Sequence, residues 1–286
     1  MKGSMVMSDV IIDTLVDSLK LIPFLFITYL AMEYIEHKTS AKTKMMIKKS
    51  GKAGPAAGAV LGAFPQCGFS AAASNLYAGR IITLGTLIAI YLSTSDEMLP
   101  VFLSEHVEIS LIIKIIGCKI IIGMVMGFII DFIMNRFKKD EDVVEKIGHM
   151  CDHDHCHCEK SVVKSALKHT AVITGYIILI SFILNTVIYF VGEETLAGII
   201  LNSPVIGPIL AALVGLIPNC AASVVITQLY LGGVLSAGAM MGGLLTGAGV
   251  GILVLFKENR NIKENLKIVG LMYAIGAVFG IIIDLI

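Results

Sequence analysis

The chain contains the same apolar unit twice. Residues 54–133 align with residues 207–286 without a gap, and glycines, prolines and small polar residues recur at matching positions. The matched pairs include Gly54 with Gly207, Gly62 with Gly215, Pro65 with Pro218, Cys67 with Cys220, Ser70 with Ser223, and Tyr77 with Tyr230. Duplicated apolar halves that a proline interrupts at the same point are typical of secondary transporters, which bind substrate where broken helices meet near the midplane.

The composition indicates that both copies lie in a membrane. Hydrophobic residues make up 56% of the chain, charged residues 15%, and the mean hydropathy is +0.85. A soluble core of this length could not bury so much apolar side chain, so we predict an all-α, multi-pass integral membrane protein. The apolar runs, near or above the roughly 20 residues that cross a bilayer, are 11–35, 53–78, 79–103, 110–134, 170–191, 195–217, 219–256 and 267–286. Each half has room for five crossings, or for three crossings and a re-entrant hairpin.

The loop charges predict how the two halves are oriented. Residues 37–52 are rich in lysine, whereas the equivalent residues 192–205 contain two glutamates and no lysine or arginine. Residues 104–108 are acidic, and their counterparts 257–263 are basic. Because lysine and arginine in short loops favour the cytoplasm, equivalent loops are expected on opposite sides of the membrane. The repeats are then inverted, although a parallel duplication with accidental loop charges is the alternative.

This orientation divides the chain into three parts. We predict a first membrane repeat over residues 1–135, a cytoplasmic His/Cys-rich linker over 136–168, and a second membrane repeat over 169–286. Both termini then lie outside. Asp13, Asp17 and Lys20 within the first apolar run are unlike a cleaved signal, so this run is expected to be the first retained span.

The proline in each half is expected to break a helix. Pro65 lacks an N–H group and clashes with the preceding turn, so one helix ends there and another begins after it. The polar residues around the two breaks, our candidate substrate-binding residues, are Gln66, Cys67, Ser70, Ser74 and Asn75 in the first half and Asn219, Cys220, Ser223, Thr227 and Gln228 in the second. A thiol, hydroxyls, an amide and a helix N-terminus suit a thiophilic or partly anionic solute. The alternative is that these small residues only allow close helix packing.

Carboxylates within the apolar runs are candidates for ion coupling. Asp96 and Glu97 end the third apolar run of the first half, and Glu33 ends the first span. Such groups are costly at membrane depth and often handle ions or protons, but helix ends that reach water explain them equally well. Asp131 and Asp284 lie near the ends of the last spans, where we expect them to extend towards the interface.

The linker contains a short tract that is suited to metal binding. The candidate ligands are His149, Cys151, His153, His155, Cys156, His157 and Cys158. Imidazole and thiolate select Zn²⁺, Cu and other thiophilic metals, but the spacing is not that of a zinc finger. We expect a sensor or delivery arm with a possible metal ion; a solvated linker with an accidental bias in composition is the alternative.

Several classes of protein are not indicated. No phosphate-binding loop motif is present, so active transport would need an ion gradient or a partner. No nucleophile–base pair recurs in the apolar runs, so we do not expect an enzyme. The expected partners are the lipid bilayer and the solute, with no nucleic acid and no required cofactor; a homo-oligomer is left open.

The two breaks resemble a known family. The segments Phe64-Pro65-Gln66-Cys67-Gly68-Phe69-Ser70 and Ile217-Pro218-Asn219-Cys220-Ala221-Ala222-Ser223, with a His/Cys-rich linker between two halves, look like the ten-helix heavy-metal exporter family. Members are labelled arsenic efflux proteins or manganese transporters, and the family is distantly similar to the organoarsenical permeases.

The resemblance implies export of a heavy metal or metalloid across the inner (plasma) membrane, by alternating access. Mn²⁺ prefers carboxylate ligands, which the breaks lack, so trivalent arsenic or another thiophilic or anionic solute is favoured unless Asp96 and Glu97 reach the midplane. The alternatives are export of Mn²⁺ or another divalent cation, oxyanion transport, a metal-gated channel or a membrane metal sensor.

Overall fold

The protein is helical throughout the part that the structure describes. This computed structural model describes residues 53–64, 67–95, 98–137, 162–191 and 205–286, together with residues 15, 16, 19, 22, 23, 25–27, 29 and 30 of the first apolar run. No strand occurs among these residues. The prediction of an all-α protein is confirmed.

Five helices recur in the same order in the two halves. In the first half they are α1 (Gly54–Gly62), α2 (Cys67–Ala78), α3 (Leu84–Ser93), α4 (Met98–Ser104) and α5 (Ile109–Phe137). The next helix in the described part of the chain is the long α6 (Val162–Val191). The second half contains α7 (Ile206–Gly215), α8 (Cys220–Leu231), α9 (Ala237–Thr246), α10 (Val250–Glu258) and α11 (Ile262–Leu285). The helices therefore follow the sequence repeat one for one.

Each half folds its first two helices into a hairpin. Gly54 at the start of α1 lies against Thr86 near the start of α3, and Gly62 at its end lies against Ile90 and Ser93, so α1 and α3 run parallel. The contacts leave no room for a side chain at Gly62, and a short loop joins the end of α2 to the start of α3. Helices α1 and α2 thus return to the end from which they started.

An aspartate near the end of each of the long helices α5 and α11 binds the N-terminus of a neighbouring helix. The Asp131 carboxylate accepts hydrogen bonds from the Thr83 hydroxyl at 2.6 Å and the Gly85 N–H at 2.8 Å, at the N-terminus of α3. Asp284 makes the same contacts at 2.5 and 2.7 Å with Ser236 and Gly238, at the N-terminus of α9. A carboxylate satisfies the free N–H groups and the positive end of the helix dipole. Both aspartates hold helices together, besides lying near span ends as expected.

In the part of the chain that the structure describes, four stretches are long and apolar enough to cross a membrane. They are Leu84–Ser104, Ile109–Met134, Ala237–Glu258 and Ile262–Leu285, and the first of them includes residues outside the described part. The segments that contain α3–α4 and α9–α10 are 75% and 89% buried, whereas those of α5 and α11 are only 28% and 33% buried. The interrupted segments therefore form the centre of the molecule. The uninterrupted helices surround them and present apolar side chains outwards, as a protein in lipid requires.

Candidate functional site

A cleft lies where the interrupted helices of the two halves meet. Three residues of the first half line it, all at the gap between α3 and α4, and the others come from the second half. The lining residues are Thr94, Ser95 and Met98, and Gly215, Asn219, Ser223, Gly243, Leu244, Gly247 and Gly249. Four glycines leave the backbone close to the space, so main-chain groups as well as side chains can contact a small solute.

The break between α7 and α8 supplies the polar wall of this cleft. Asn219 caps α8: its side-chain oxygen accepts a hydrogen bond from the Ala221 N–H at 3.2 Å. Ser223 lies one turn further along α8, and Cys220 is the first residue of that helix. Asn219, which follows Pro218, has an extended backbone and precedes the first residue of α8. Its side-chain oxygen accepts from an N–H group that has no carbonyl partner within the helix, and this stabilises the start of α8. The side chain of Cys220 is outside the described part of the structure.

The gap between α3 and α4 supplies the opposite wall. The Thr94 hydroxyl donates to the Ile90 carbonyl at 2.8 Å, and the Ser95 hydroxyl donates to the Ser93 carbonyl at 3.0 Å. These bonds satisfy carbonyls at the end of α3, where the helix has run out of N–H partners. Met98, almost fully buried, adds a thioether sulfur to the lining. The cleft thus combines a soft sulfur with hydroxyl and amide groups.

The equivalent contact on the other side of the molecule is closed. There, helix α2 follows the break of the first half, and its residues Ser70 and Ser74 pack directly on α10. The Ser74 hydroxyl lies 2.7 Å from the Gly251 carbonyl oxygen and 2.6 Å from the Tyr91 hydroxyl, which is itself 3.1 Å from that carbonyl. Ser70 and Ser74 are fully buried. Neither lines the cleft.

Two differences between the repeats explain why one side is open. The position equivalent to Gly251 is Met98, and the position equivalent to Tyr91 is Leu244. Gly251 has no side chain, so α2 approaches α10 closely enough for Ser70 to touch its backbone. Met98 brings a side chain to the position where Gly251 has none, and Leu244 lacks the hydroxyl that links Tyr91 to Ser74 and Gly251.

Lys119 is buried in α5 between the two halves. Its side chain has no exposed surface, and its amino group donates to the carbonyl of Thr94 and, at 2.9 Å, to the carbonyl of Leu244. Both carbonyls belong to cleft residues at the C-terminal ends of α3 and α9. Helix C-termini carry partial negative charge and favour a cation. The equivalent position of the second half is Met272, so this lysine has no copy.

The remaining predicted residues lie at different places. The Asn75 side-chain oxygen accepts from Tyr29 at 3.2 Å, and its amide nitrogen has no hydrogen-bond partner among the described residues. Thr227 is buried and donates to the Ser223 carbonyl at 2.7 Å, whereas Gln228 is exposed and does not line the cleft. The side chain of Cys67 and the whole of Glu33, Gln66, Asp96, Glu97 and His149–Cys158 lie outside the described part of the structure.

A polar cluster connects the end of α2 to the start of α11. Arg80 forms a two-fold ion pair with Glu264, at 2.7 and 2.9 Å, and the Tyr77 hydroxyl donates to the same carboxylate. The hydrogen bond to Glu264 raises the pKa of Arg80, which lies in the loop after α2. Gly233 and Leu111 stand at the equivalent positions of Arg80 and Glu264. The pair therefore ties the halves together at one end only.

Sequence reasoning missed three of the residues that shape the site. Tyr91 and Met98 are apolar or aromatic residues within apolar runs, and nothing in their local pattern separates them from core residues. Lys119 did carry a signal, since it is a lysine well inside an apolar run whose counterpart in the other repeat is uncharged.

Among the described residues, no group of three His, Cys, Asp or Glu side chains could hold a metal ion.

A family model matches most of the chain. The model of a family described as "Putative, 10TM heavy-metal exporter" matches residues 6–161 and 140–252 of the chain. No curated protein and no solved structure gave a match.

Proposed function

Because the chain belongs to the 10TM heavy-metal exporter family, we propose that it exports a thiophilic metal or metalloid, with trivalent arsenic favoured, across the plasma membrane. The solute occupies the cleft between α8 and the gap after α3, and access to it alternates between the two sides. The observation that carries this proposal is the cleft itself, in which both halves place interrupted helices around one space. Transporters of this kind bind substrate at such a place.

The chemistry of the lining favours a soft solute. Met98 offers a thioether, Asn219 and Ser223 offer oxygen and nitrogen groups, and Cys220 begins the helix beside them. Sulfur ligands select thiophilic metals, whereas Mn²⁺ prefers carboxylate oxygens. Asp96 and Glu97, the carboxylates between the lining residues Ser95 and Met98, lie outside the described part of the structure. Gln66 and Cys67, at the matching break of the first half, would complete the site when α2 moves.

The contacts at one end of the molecule support inverted repeats. Asp131, near the end of α5, binds the start of α3. Arg80, in the loop just before α3, pairs with Glu264 at the start of α11. The end of α5 and the start of the equivalent helix α11 thus lie near one another. At about 1.5 Å per residue both helices are long enough to cross a membrane, so they run in opposite directions, as the loop charges predict.

Unequal packing of the two halves supports alternating access. Helix α2 is sealed against α10 through Ser74, Tyr91 and Gly251, while α8 leaves a cleft beside α4. If two inverted repeats exchange these packings, the open cleft closes and a cleft opens on the opposite side. The hydrogen bonds from the buried Ser74 and Tyr91 hydroxyls to the Gly251 carbonyl would then break. We assign residues 1–135 and 169–286 to the repeats and 136–168 to a cytoplasmic linker that collects metal.

Transport by single variants in inverted membrane vesicles tests the site. We expect Cys220→Ser and Cys67→Ser each to lower arsenite uptake at least tenfold, since each removes a sulfur ligand and keeps a similar volume. The double variant should add little, because ligands of one site act together. Cys118→Ser is the matched control: this cysteine lies in an apolar helix away from the cleft. Wild-type uptake in both single variants and the double would show that the breaks serve packing alone.

An oxyanion substrate would give a different pattern. Helix N-termini would then hold the solute, so the cysteine variants would be mild while Gln66→Ala and Asn219→Ala would be severe. Parallel uptake assays with arsenite and arsenate separate the two cases.

A further inference from the structure

The connection between α10 and α11 carries a group of exposed basic side chains, which we call the basic turn. Its four members lie close together in the sequence and are all exposed: Lys257, Arg260, Lys263 and Lys267. Among the described residues, none of the four forms an ion pair with a carboxylate. The ammonium group of Lys257 lies over the ring of Tyr176, 5.5 Å from its centroid. The basic turn therefore presents positive charge that the described part of the protein does not neutralise.

The carboxylates of the same segment are turned towards the protein. Glu264 forms its two-fold ion pair with Arg80, at 2.7 and 2.9 Å. Glu258 is partly buried, and its carboxylate accepts a hydrogen bond from the Tyr29 hydroxyl at 3.1 Å. The charges of this connection are thus sorted, with acidic groups inside and basic groups outside. A solvated surface of mixed charge would show no such separation.

The basic turn lies where two membrane spans meet. It joins the candidate spans Ala237–Glu258 and Ile262–Leu285. At about 1.5 Å per residue, α11 is about 36 Å long, whereas the hydrocarbon layer is about 30 Å thick. One end of α11 therefore reaches the headgroup region.

Apolar side chains accompany the bases at the start of α11. Ile262 and Leu266 are 64% and 58% exposed, and each precedes one of the exposed lysines Lys263 and Lys267. Residues four apart lie on the same side of a helix, so the two apolar and two basic side chains form adjacent rows. Such a surface suits the boundary of a bilayer, where the apolar groups contact acyl chains and the lysines extend to the headgroups.

We propose that the basic turn binds the headgroup phosphate of an anionic phospholipid. Clusters of lysine and arginine at the end of a membrane span attract anionic lipid, and each basic residue contributes roughly fivefold to the association. The guanidinium of Arg260 can in addition bind two phosphate oxygens at once. The inference concerns a partner of the protein and does not depend on which solute is exported.

The equivalent turn of the first half lacks this chemistry. Ser104, Val107 and Ser110 stand at the positions of Lys257, Arg260 and Lys263. Only Lys267 has a basic counterpart, which is Lys114. The same turn also exposes two carboxylates, those of Glu105 and Glu108. We therefore expect the preference for anionic lipid at the turn of the second half alone.

Electron paramagnetic resonance with spin-labelled lipids tests the proposal. Trace amounts of labelled phosphatidylglycerol or phosphatidylcholine are added to phosphatidylcholine vesicles that contain the full-length protein, and the fraction of immobilised label gives each association constant. The wild-type protein should bind phosphatidylglycerol at least fivefold more strongly than phosphatidylcholine at low salt. High salt should reduce this ratio because it screens exposed charges.

Variants of exposed residues locate the site. The triple variant Arg260→Gln, Lys263→Gln, Lys267→Gln should lower the ratio to below twofold. Lys114→Gln is the matched control, since Lys114 is an exposed lysine at the position equivalent to Lys267; it should keep the wild-type ratio. Arg260→Lys, which keeps the charge, should stay within twofold of wild type.

Three results would overturn the proposal. The first is a wild-type ratio close to one, and the second is an unchanged ratio in the triple variant. The third is displacement of the labelled lipid by inorganic phosphate far beyond that by chloride at equal ionic strength, which would assign the basic turn to a soluble anion. None of these results bears on export, which the vesicle assays with arsenite test separately.

Discussion

The capping aspartates allow the fold to be tested quantitatively. Asp131→Ala removes the acceptor of two hydrogen bonds, at 2.6 and 2.8 Å, from the start of α3. A hydrogen bond to a charged group contributes about 1.5–3 kcal/mol, and a buried N–H without a partner costs about 1–3 kcal/mol. Gly85 is buried. We therefore expect a loss of roughly 3 kcal/mol in the free energy of unfolding.

The conservative variant separates the two bonds. Asn at position 131 keeps an oxygen for the Gly85 N–H, but its amide nitrogen cannot accept the Thr83 hydroxyl. Asp131→Asn should therefore lose about half as much, roughly 1.5 kcal/mol. Asp284→Ala should match Asp131→Ala, since its contacts are the same at 2.5 and 2.7 Å.

Equilibrium unfolding of the purified protein in detergent measures these losses. The double Ala variant should show the sum of the two single effects, because the two caps share no partner and distant sites add. Single Ala variants within about 0.5 kcal/mol of wild type, the range of ordinary surface substitutions, would show that the carboxylates do not hold α3 and α9. A double variant no worse than either single one would show that the caps are not independent.

Three further predictions concern the membrane topology, the His/Cys-rich tract and the exchange between access states. A cysteine placed at Glu194 should be labelled from the outside and one at Lys44 should not, since the loop charges put them on opposite sides; equal labelling contradicts inverted repeats. Deleting residues 150–158 should lower resistance at low metal concentration and spare the maximal transport rate; complete loss of transport would make the tract part of the path. Arg80→Gln should speed exchange between the two access states by removing the bidentate pair with Glu264, as pulsed hydrogen exchange would detect; unchanged exchange would make the pair purely structural.

Much of the architecture was predictable because duplication leaves a trace in every element. The repeat predicted two equal sets of helices, and Pro65 and Pro218 predicted the two breaks; the helices end and restart on either side of them. The resemblance to the exporter family is confirmed by the family match. The hairpin was left open, since an apolar run of this length can either cross the bilayer or return.

Details of the site were less predictable because they depend on contacts between the halves. The sequence places Ser74 and Thr227 at equivalent positions, but a glycine at position 251 and a methionine at position 98 give them different surroundings. The two aspartates were expected at the interface, and local sequence does not reveal which helix N-terminus each one binds. The position of Lys119 between two helix ends becomes visible only when both halves are assembled.

Accumulation of arsenite in inverted vesicles tests the central claim most directly. The proposed exporter moves a thiophilic solute against its gradient through a cleft between two halves. In energised vesicles the internal arsenite concentration should rise above the external one and fall back when an ionophore collapses the ion gradients. Uptake that stops at equal concentrations would indicate a channel, and uptake no faster than in vesicles without the protein would contradict export of this solute.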